Sequence, residues 1–226
     1  MLDDWTISYG PLTLGNAEIM PAVNFTSFDP LTMPDIRSND VELIQRDGLW
    51  AGDDYMGGRT IDLSLEVQGI DREEFNSAVN LVMRAFSPGV AGESKLSFKI
   101  PGLCNGREAY VMARTRKRSN PLDANFARLY CAFEIQLFAT DPVVYAADVT
   151  TVTLAKNVPA LVPFDGSLPT TPAVTFTGTT SPKILDAETG AVAGPTYDPG
   201  NRYLKLTDSG TNNAATAVLT YTDTWV

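Results

Sequence analysis

The chain has 226 residues, of which 44% are hydrophobic and 19% charged, enough for one or two domains with a real core and unlike a disordered composition. It carries 27 acidic against 17 basic residues, a net charge of −10, which argues against general phosphate binding because nucleic-acid affinity needs clustered cations. It has no histidine, which excludes Ser-His-Asp and Cys-His catalysis and His-ligated metal sites, and only two cysteines, too few for a disulfide framework or a zinc tetrahedron.

In chain order, the N-terminal MLDDWTISYG is acidic and lacks an apolar stretch, so no signal peptide is expected. No run of about 18 apolar residues occurs, so no membrane span is expected. Thr6–Tyr9 and Glu18–Val23 read as short strands. Asn24–Gly58 has little regular pattern and holds Pro30, Pro34, Gly48, Gly52, Gly57 and Gly58 with Trp50 and Tyr55. Long segments of this kind are usually functional or mobile. Two readings stay open: an exposed aromatic-bearing loop that meets a partner, or a hairpin folded back on its own sheet. A short strand is expected within it at Val41–Gln45.

Ile61, Leu63, Leu65 and Val67 then alternate with Thr60, Asp62, Ser64 and Glu66, the period of a strand with one buried face. Asp71 followed by Glu74 resembles a capping box, and Phe75, Ala78, Val79, Val82 and Phe86 make one apolar stripe, so a helix packs flat on a sheet. Asp71, Glu73 and Glu74 crowd its first turn, where the helix dipole favours negative charge. Ser87-Pro88-Gly89 ends it. The glycines and lysine of Gly89–Lys95 lack the order and strand-to-helix context of a phosphate loop, and read as a turn.

Lys95–Ile100 and Ala109–Thr115 are further strands. Arg114-Thr115-Arg116-Lys117-Arg118 is the one basic run, and on a regular strand its three arginines share a face. In an acidic chain it reads better as a partner for acidic surface, on a neighbour or on the same domain, than as a nucleic-acid site. Leu129, Cys131, Phe133, Ile135 and Leu137 alternate like the earlier strand, which Asp141-Pro142 terminates because proline has no N–H for a ladder. Cys131 therefore reads as a small core residue, whereas Cys104, in the Gly102–Gly106 turn, reads as exposed. The doublets Asp3-Asp4 and Asp53-Asp54 read as surface charge, since neighbours on a strand face opposite ways, and Glu73-Glu74 reads as helix-start charge.

After residue 146 charges thin out, and Thr, Ala, Gly and Pro increase. Short strand-like pieces at Thr150–Leu154, Ala173–Thr177, Tyr203–Leu206 and Ala217–Tyr221 predict a small β-sandwich over 147–226. Its length is marginal, and an incomplete sandwich with an edge supplied by a neighbour is one expectation.

Two blocks carry a family resemblance. One is RDGLWAGDDYMGGRTIDLSLEVQGIDREEFNSAVNLVMRAF, with Tyr55, Gly58-Arg59, the alternating strand, Gly69 and the helix. The other is ARLYCAFEIQLFATDPVVYA, whose strand exits through Ala-Thr-Asp-Pro. Together they resemble the distal tail proteins, also called minor tail proteins, of siphovirus-type phages. The likeness covers roughly residues 1–146; the remainder resembles that family's galectin-like second domain through Thr171–Phe176 with Gly178 and Glu188-Thr189-Gly190.

The resemblance implies a mainly β fold: a ring-forming β-sandwich with one packed helix over 1–146, then the small galectin-like sandwich over 147–226. It implies a structural virion protein without enzymatic activity or cofactor. Such a protein forms a homo-hexameric ring at the distal end of the phage tail after synthesis in the host cytoplasm. The implied partners are the tail tube protein, a tip or baseplate protein such as a tail-associated lysin or fibre, and the tape measure protein in the lumen. DNA passes without specific binding, and no membrane is involved. Candidate partner or subunit contacts are Trp50, Tyr55, Arg59, Arg114, Arg116 and Arg118. The alternatives are a major tail-tube subunit, or a cell-wall carbohydrate-binding tail module in which Trp50, Tyr55 or Tyr197 stacks on sugars.

Overall fold

The computed structural model describes residues 1–15, 22–44, 46–88 and 92–226. The chain is mainly β, with one α-helix, and divides into two compact units. The first comprises residues 1–101 and 110–144 with Val226; the second comprises 102–109 and 145–225.

The first unit contains β1 (Thr6–Tyr9), β2 (Leu12–Leu14) and β3 (Val23–Asp29). Four two-residue strands follow: β4 (Ile36–Arg37), β5 (Val41–Glu42), β6 (Leu49–Trp50) and β7 (Tyr55–Met56). Then come β8 (Arg59–Gln68), α1 (Arg72–Ala85), β9 (Ser94–Lys99), β10 (Ala109–Ser119) and β11 (Tyr130–Ala139). Seven of these make one sheet in the order β2-β1-β9-β10-β11-β8-β3. Long-range antiparallel pairing fits the alternation that β8 and β11 carry. Ile61, Leu63, Leu65 and Val67 of β8 are buried, as are Cys131, Phe133, Ile135 and Leu137 of β11. Register places Leu65 opposite Phe133 and Leu63 opposite Ile135, so the two apolar rows share a face. Each such side chain stabilises the fold by about 1.5–3 kcal/mol.

Helix α1 starts as its sequence dictates. The Asp71 carboxylate accepts from the Glu74 amide at 2.8 Å, and Glu74 reaches back to the Ile70 amide at 2.7 Å. Its buried stripe is Phe75, Ala78, Val79 and Val82, with Phe86 buried at the end and stacked on Tyr9.

The strand expected at Glu18–Val23 mostly lies outside the described residues, as do Gln45 and most of the turn at 89–92. Strand β3 itself runs on to Asp29, through residues whose sequence has no clear period. A register shift between Phe25 and Ser27 explains this: a bulge interrupts the alternation that sequence reading depends on.

The short β12 (Val144–Ala146) carries the chain from one unit to the other. The second unit is built from β13 (Thr150–Ala155), β14 (Pro159–Phe164), β15 (Ala173–Thr177), β16 (Pro182–Asp186), β17 (Gly200–Asp208), β18 (Thr216–Tyr221) and β19 (Thr224–Trp225). Two three-stranded antiparallel sheets, β13-β18-β15 and β14-β17-β16, enclose its core. Leu154, Leu219 and Tyr221 from one sheet pack with Val162, Phe164, Leu204 and Leu206 from the other. Strands β14 and β16 had no clear signal in the sequence, because Pro159, Pro163 and Pro182 sit in them. Both are outer strands, where a missing N–H costs no ladder bond.

Residues 102–109 join the second unit through polar contacts. The Asn105 amide donates to the Asp165 carbonyl, the Ala147 N–H donates to the Glu108 carbonyl, and Arg107 pairs with Asp148 and Asp223. Cys104 in this segment is buried, contrary to the expectation of an exposed turn cysteine, because the turn packs into the unit. Cys131 is also buried, and that burial, aided by the Asp123 charge, pushes its thiol up to about 11. A raised thiol pKa gives stability that is present below the unfolded value and is lost as pH rises through about 11. Alkylation with iodoacetamide at pH 8 should therefore leave Cys131 unmodified in the native protein and label it in urea; rapid native labelling would contradict the buried environment.

Candidate functional site

The candidate surface of the first unit begins with residues 30–44 and 46–58. These form an arm: Ile36 pairs with Met56 and Arg37 with Tyr55, then Val41 with Trp50 and Glu42 with Leu49. All eight residues are exposed, Trp50 by 69% and Tyr55 by 57%. A two-stranded ladder that buries so little is marginal alone. Local bonds shape it: the Gly57 N–H donates to the Asp35 carbonyl at 2.7 Å, and the Gly52 N–H donates to the Asp40 carboxylate at 3.0 Å. The Ser38 hydroxyl, with that Gly52 amide, holds the Asp40 carboxyl below the usual aspartate range. Of the two readings left open by the sequence, the exposed aromatic-bearing segment describes the arm; its apolar residues do not fold back onto the sheet.

The arm joins the sheet at Gly58. A Cβ there would lie 2.2 Å from the Phe138 ring and 2.9 Å from the Ala139 carbonyl, so only glycine permits this crossing. The next residue, Arg59, is fully buried. Its Nε donates to the Pro142 carbonyl at 2.7 Å and an Nη donates to the Pro30 carbonyl at 3.0 Å. Arg59 therefore has no surface to offer a partner. It is an internal tie between the arm's root and the Asp-Pro exit of β11, and it leaves the set of candidate contacts. The Asp141 carboxylate completes that exit by accepting from the Val143 amide at 3.0 Å.

The basic run is split by a bulge. Thr115 pairs with Leu137 and Lys117 with Gln136, so Arg116 is the extra residue. Beyond the bulge the faces exchange, and Arg118 stands opposite the buried Ile135. Arg118 therefore turns to the helix side, where its guanidinium donates to the Met83 and Phe86 carbonyls at the end of α1. A cation there satisfies terminal carbonyls and complements the helix dipole. The expected three-arginine face does not form: Arg114 and Arg116 stay on the outer face and Arg118 does not.

On that outer face the cations stack on rings. The Arg116 guanidinium sits 4.3 Å and the Arg114 guanidinium 6.0 Å from the Phe138 ring centre, and Lys95 Nζ lies 4.2 Å above Tyr110. Lys117 is exposed beside them. Sequence reading missed Lys95, Tyr110 and Phe138 because they lie on three strands far apart in the chain. Only the register of β9, β10 and β11 brings them together.

Tyr197, a sugar-stacking candidate, is buried in the second unit and stacks on Phe164 at 4.8 Å, 10° from parallel. That packing covers its ring, so it presents no platform to a ligand. Trp50 and Tyr55 remain exposed on the arm.

No protein-family model matches the chain, and no curated protein matches it. A solved structure does: the crystal structure of Dit (gp 19.1) of phage SPP1, described as a paradigm of the hub adsorption apparatus in phages that infect Gram-positive bacteria. The two share 12% identity and a TM-score of 0.63, over 98% of this chain and 99% of that one. At that identity the likeness concerns architecture. In fold, across both units, this chain is similar to the SPP1 Dit hub protein.

Proposed function

We propose that this protein is a structural component of a long-tailed phage virion. It acts as the distal tail hub: six copies close into a ring that joins the tail tube to the tip or baseplate proteins, and DNA and the tape measure protein pass through its centre. The observation that carries this reading is the fold likeness to the SPP1 Dit hub, which spans nearly the whole of both chains rather than one common module.

The exposed arm supports it on separate physical grounds. A cyclic ring needs a heterologous interface, in which one patch of each copy meets a different patch of the next. An arm that leaves Trp50, Tyr55, Leu49 and Val41 in water is an apolar surface awaiting cover. The hub is not an enzyme on this reading, and its net negative charge discourages adhesion of the DNA in transit.

Native mass spectrometry of the purified protein, with imaging of assembled tails, tests the proposal. The expected result is a species near 146 kDa, about six times the 24.4 kDa chain, or a ring of about six copies at the tail end. A monomer at high concentration together with tails that lack such a ring would refute it. Hundreds of copies per particle along the tail would assign the chain to the tube instead.

A further inference from the structure

Two exposed surfaces of the first unit have opposite charge. The arm, residues 31–57, holds six carboxylates (Asp35, Asp40, Glu42, Asp47, Asp53 and Asp54) against two arginines, Arg37 and Arg46. Its exposed side includes Leu49, Trp50 and Tyr55. The outer face of β9 and β10 holds Lys95, Arg114, Arg116 and Lys117, all exposed. None of these four cations forms an ion pair among the described residues, whereas Lys99 and Arg107 do.

The basic face is also organised. Contact with the Phe138 and Tyr110 rings restrains Arg116 and Lys95, and more weakly Arg114, so less freedom is lost when an anion arrives. The same rings, with the exposed Met112, offer apolar surface between the charges. In a chain of net charge −10, a face of four unpaired cations is the exception that calls for an acidic occupant. Pairing within the domain was one possibility for the basic run; Asp62 and Glu134 line one pocket with Lys117, yet no ion pair joins Lys117 or the arginines of the run to a carboxylate among the described residues.

We infer that the arm of one copy docks on the outer face of β9 and β10 of a second copy. Its carboxylates pair with Lys95, Arg114, Arg116 and Lys117, while Trp50 and Tyr55 settle against the stacked guanidiniums and rings. The inference rests on the ring reading above and specifies its seam. Opposite charges on different patches of one chain permit a head-to-tail contact, the kind that closes into a ring.

Charge exchange tests it. The double variant R114E/R116E and the arm variant D53K/D54K are each expected to weaken assembly at least about tenfold in the protein concentration needed, through like-charge contact. Combining all four changes should restore most of the loss, and wild-type assembly should weaken as salt rises from about 50 to 500 mM. Circular dichroism of each variant checks that the fold is kept, as expected for exposed positions. If the wild type forms rings and R114E/R116E forms them equally well, or if the fourfold variant is no better than its parents, the seam is elsewhere and the ring stands. If the wild type forms no ring in solution or in tails, the ring reading falls and the seam with it. Binding of a labelled DNA duplex by the wild type at physiological salt, lost in R114E/R116E, would overturn the inference in favour of nucleic acid.

Discussion

Replacing Arg59 with methionine is expected to destabilise the first unit by about 3 kcal/mol or more, even though methionine is apolar and nearly as long. The reason is what Arg59 leaves behind. Its guanidinium is fully buried and donates to the carbonyls of Pro30 and Pro142. A buried acceptor stripped of its donor costs about 1–3 kcal/mol, and two are stripped here. Lysine should rescue only partly. It has a charge, but not the planar fork that reaches two carbonyls from different segments. Urea denaturation of R59M and R59K, compared with the wild type, measures both effects. A change under about 0.5 kcal/mol for R59M, the range of ordinary surface substitutions, would show that the two carbonyls find other donors. Because Arg59 ties the root of the arm, R59M should also impair assembly, whereas the arm variant D53K/D54K should do so without loss of stability.

The second large effect lies in the other unit. Asp223→Ala is expected to cost about 3 kcal/mol, the low end of the range for breaking a buried ion pair. Asp223 is fully buried and accepts from the Arg107 guanidinium, from the Asp165 amide at 3.0 Å and from the Thr150 hydroxyl at 3.5 Å. The low end applies because Arg107 keeps some solvent and a second partner, Asp148 at 3.1 Å. These two carboxylates, by hydrogen bonding and charge, raise the Arg107 pKa although burial opposes it. Asp223→Asn should fall between the two, since an amide can still accept from the Asp165 N–H but no longer balances the guanidinium. The unit's small core makes it sensitive to such a loss. Thermal denaturation followed by near-UV circular dichroism, which reports Tyr197 and Tyr221 in the core, reads the result. An unchanged transition in D223A would mean that the ion pair contributes nothing net to this unit.

Both predictions concern charged residues, and neither role was legible in the sequence. A charge in the sequence is normally assigned to the surface. Only the three-dimensional path shows Arg59 enclosed between residues 30 and 142, or Arg107 facing Asp223 from more than a hundred residues away. The basic run failed for a related reason. Alternation predicts a shared face for Arg114, Arg116 and Arg118, but one inserted residue in β10 sends Arg118 to the helix. The arm was legible as unusual, through its glycines and aromatics, but its short ladders of two residues each carry no period to detect.

The sequence by itself determined the elements whose signals are local. The alternation of β8 and β11, the Asp71–Glu74 cap with its apolar stripe, and the proline that ends β11 are all satisfied within a few residues of chain, and the mainly β class follows from them. The tertiary structure alone decided what depends on register: which cations stack on Phe138 and Tyr110, which arginine is enclosed, and which segment belongs to which unit. Register is set by the best burial summed over whole strands. A single bulge or crossing can therefore move a side chain from one face to the other without leaving a trace in the local sequence.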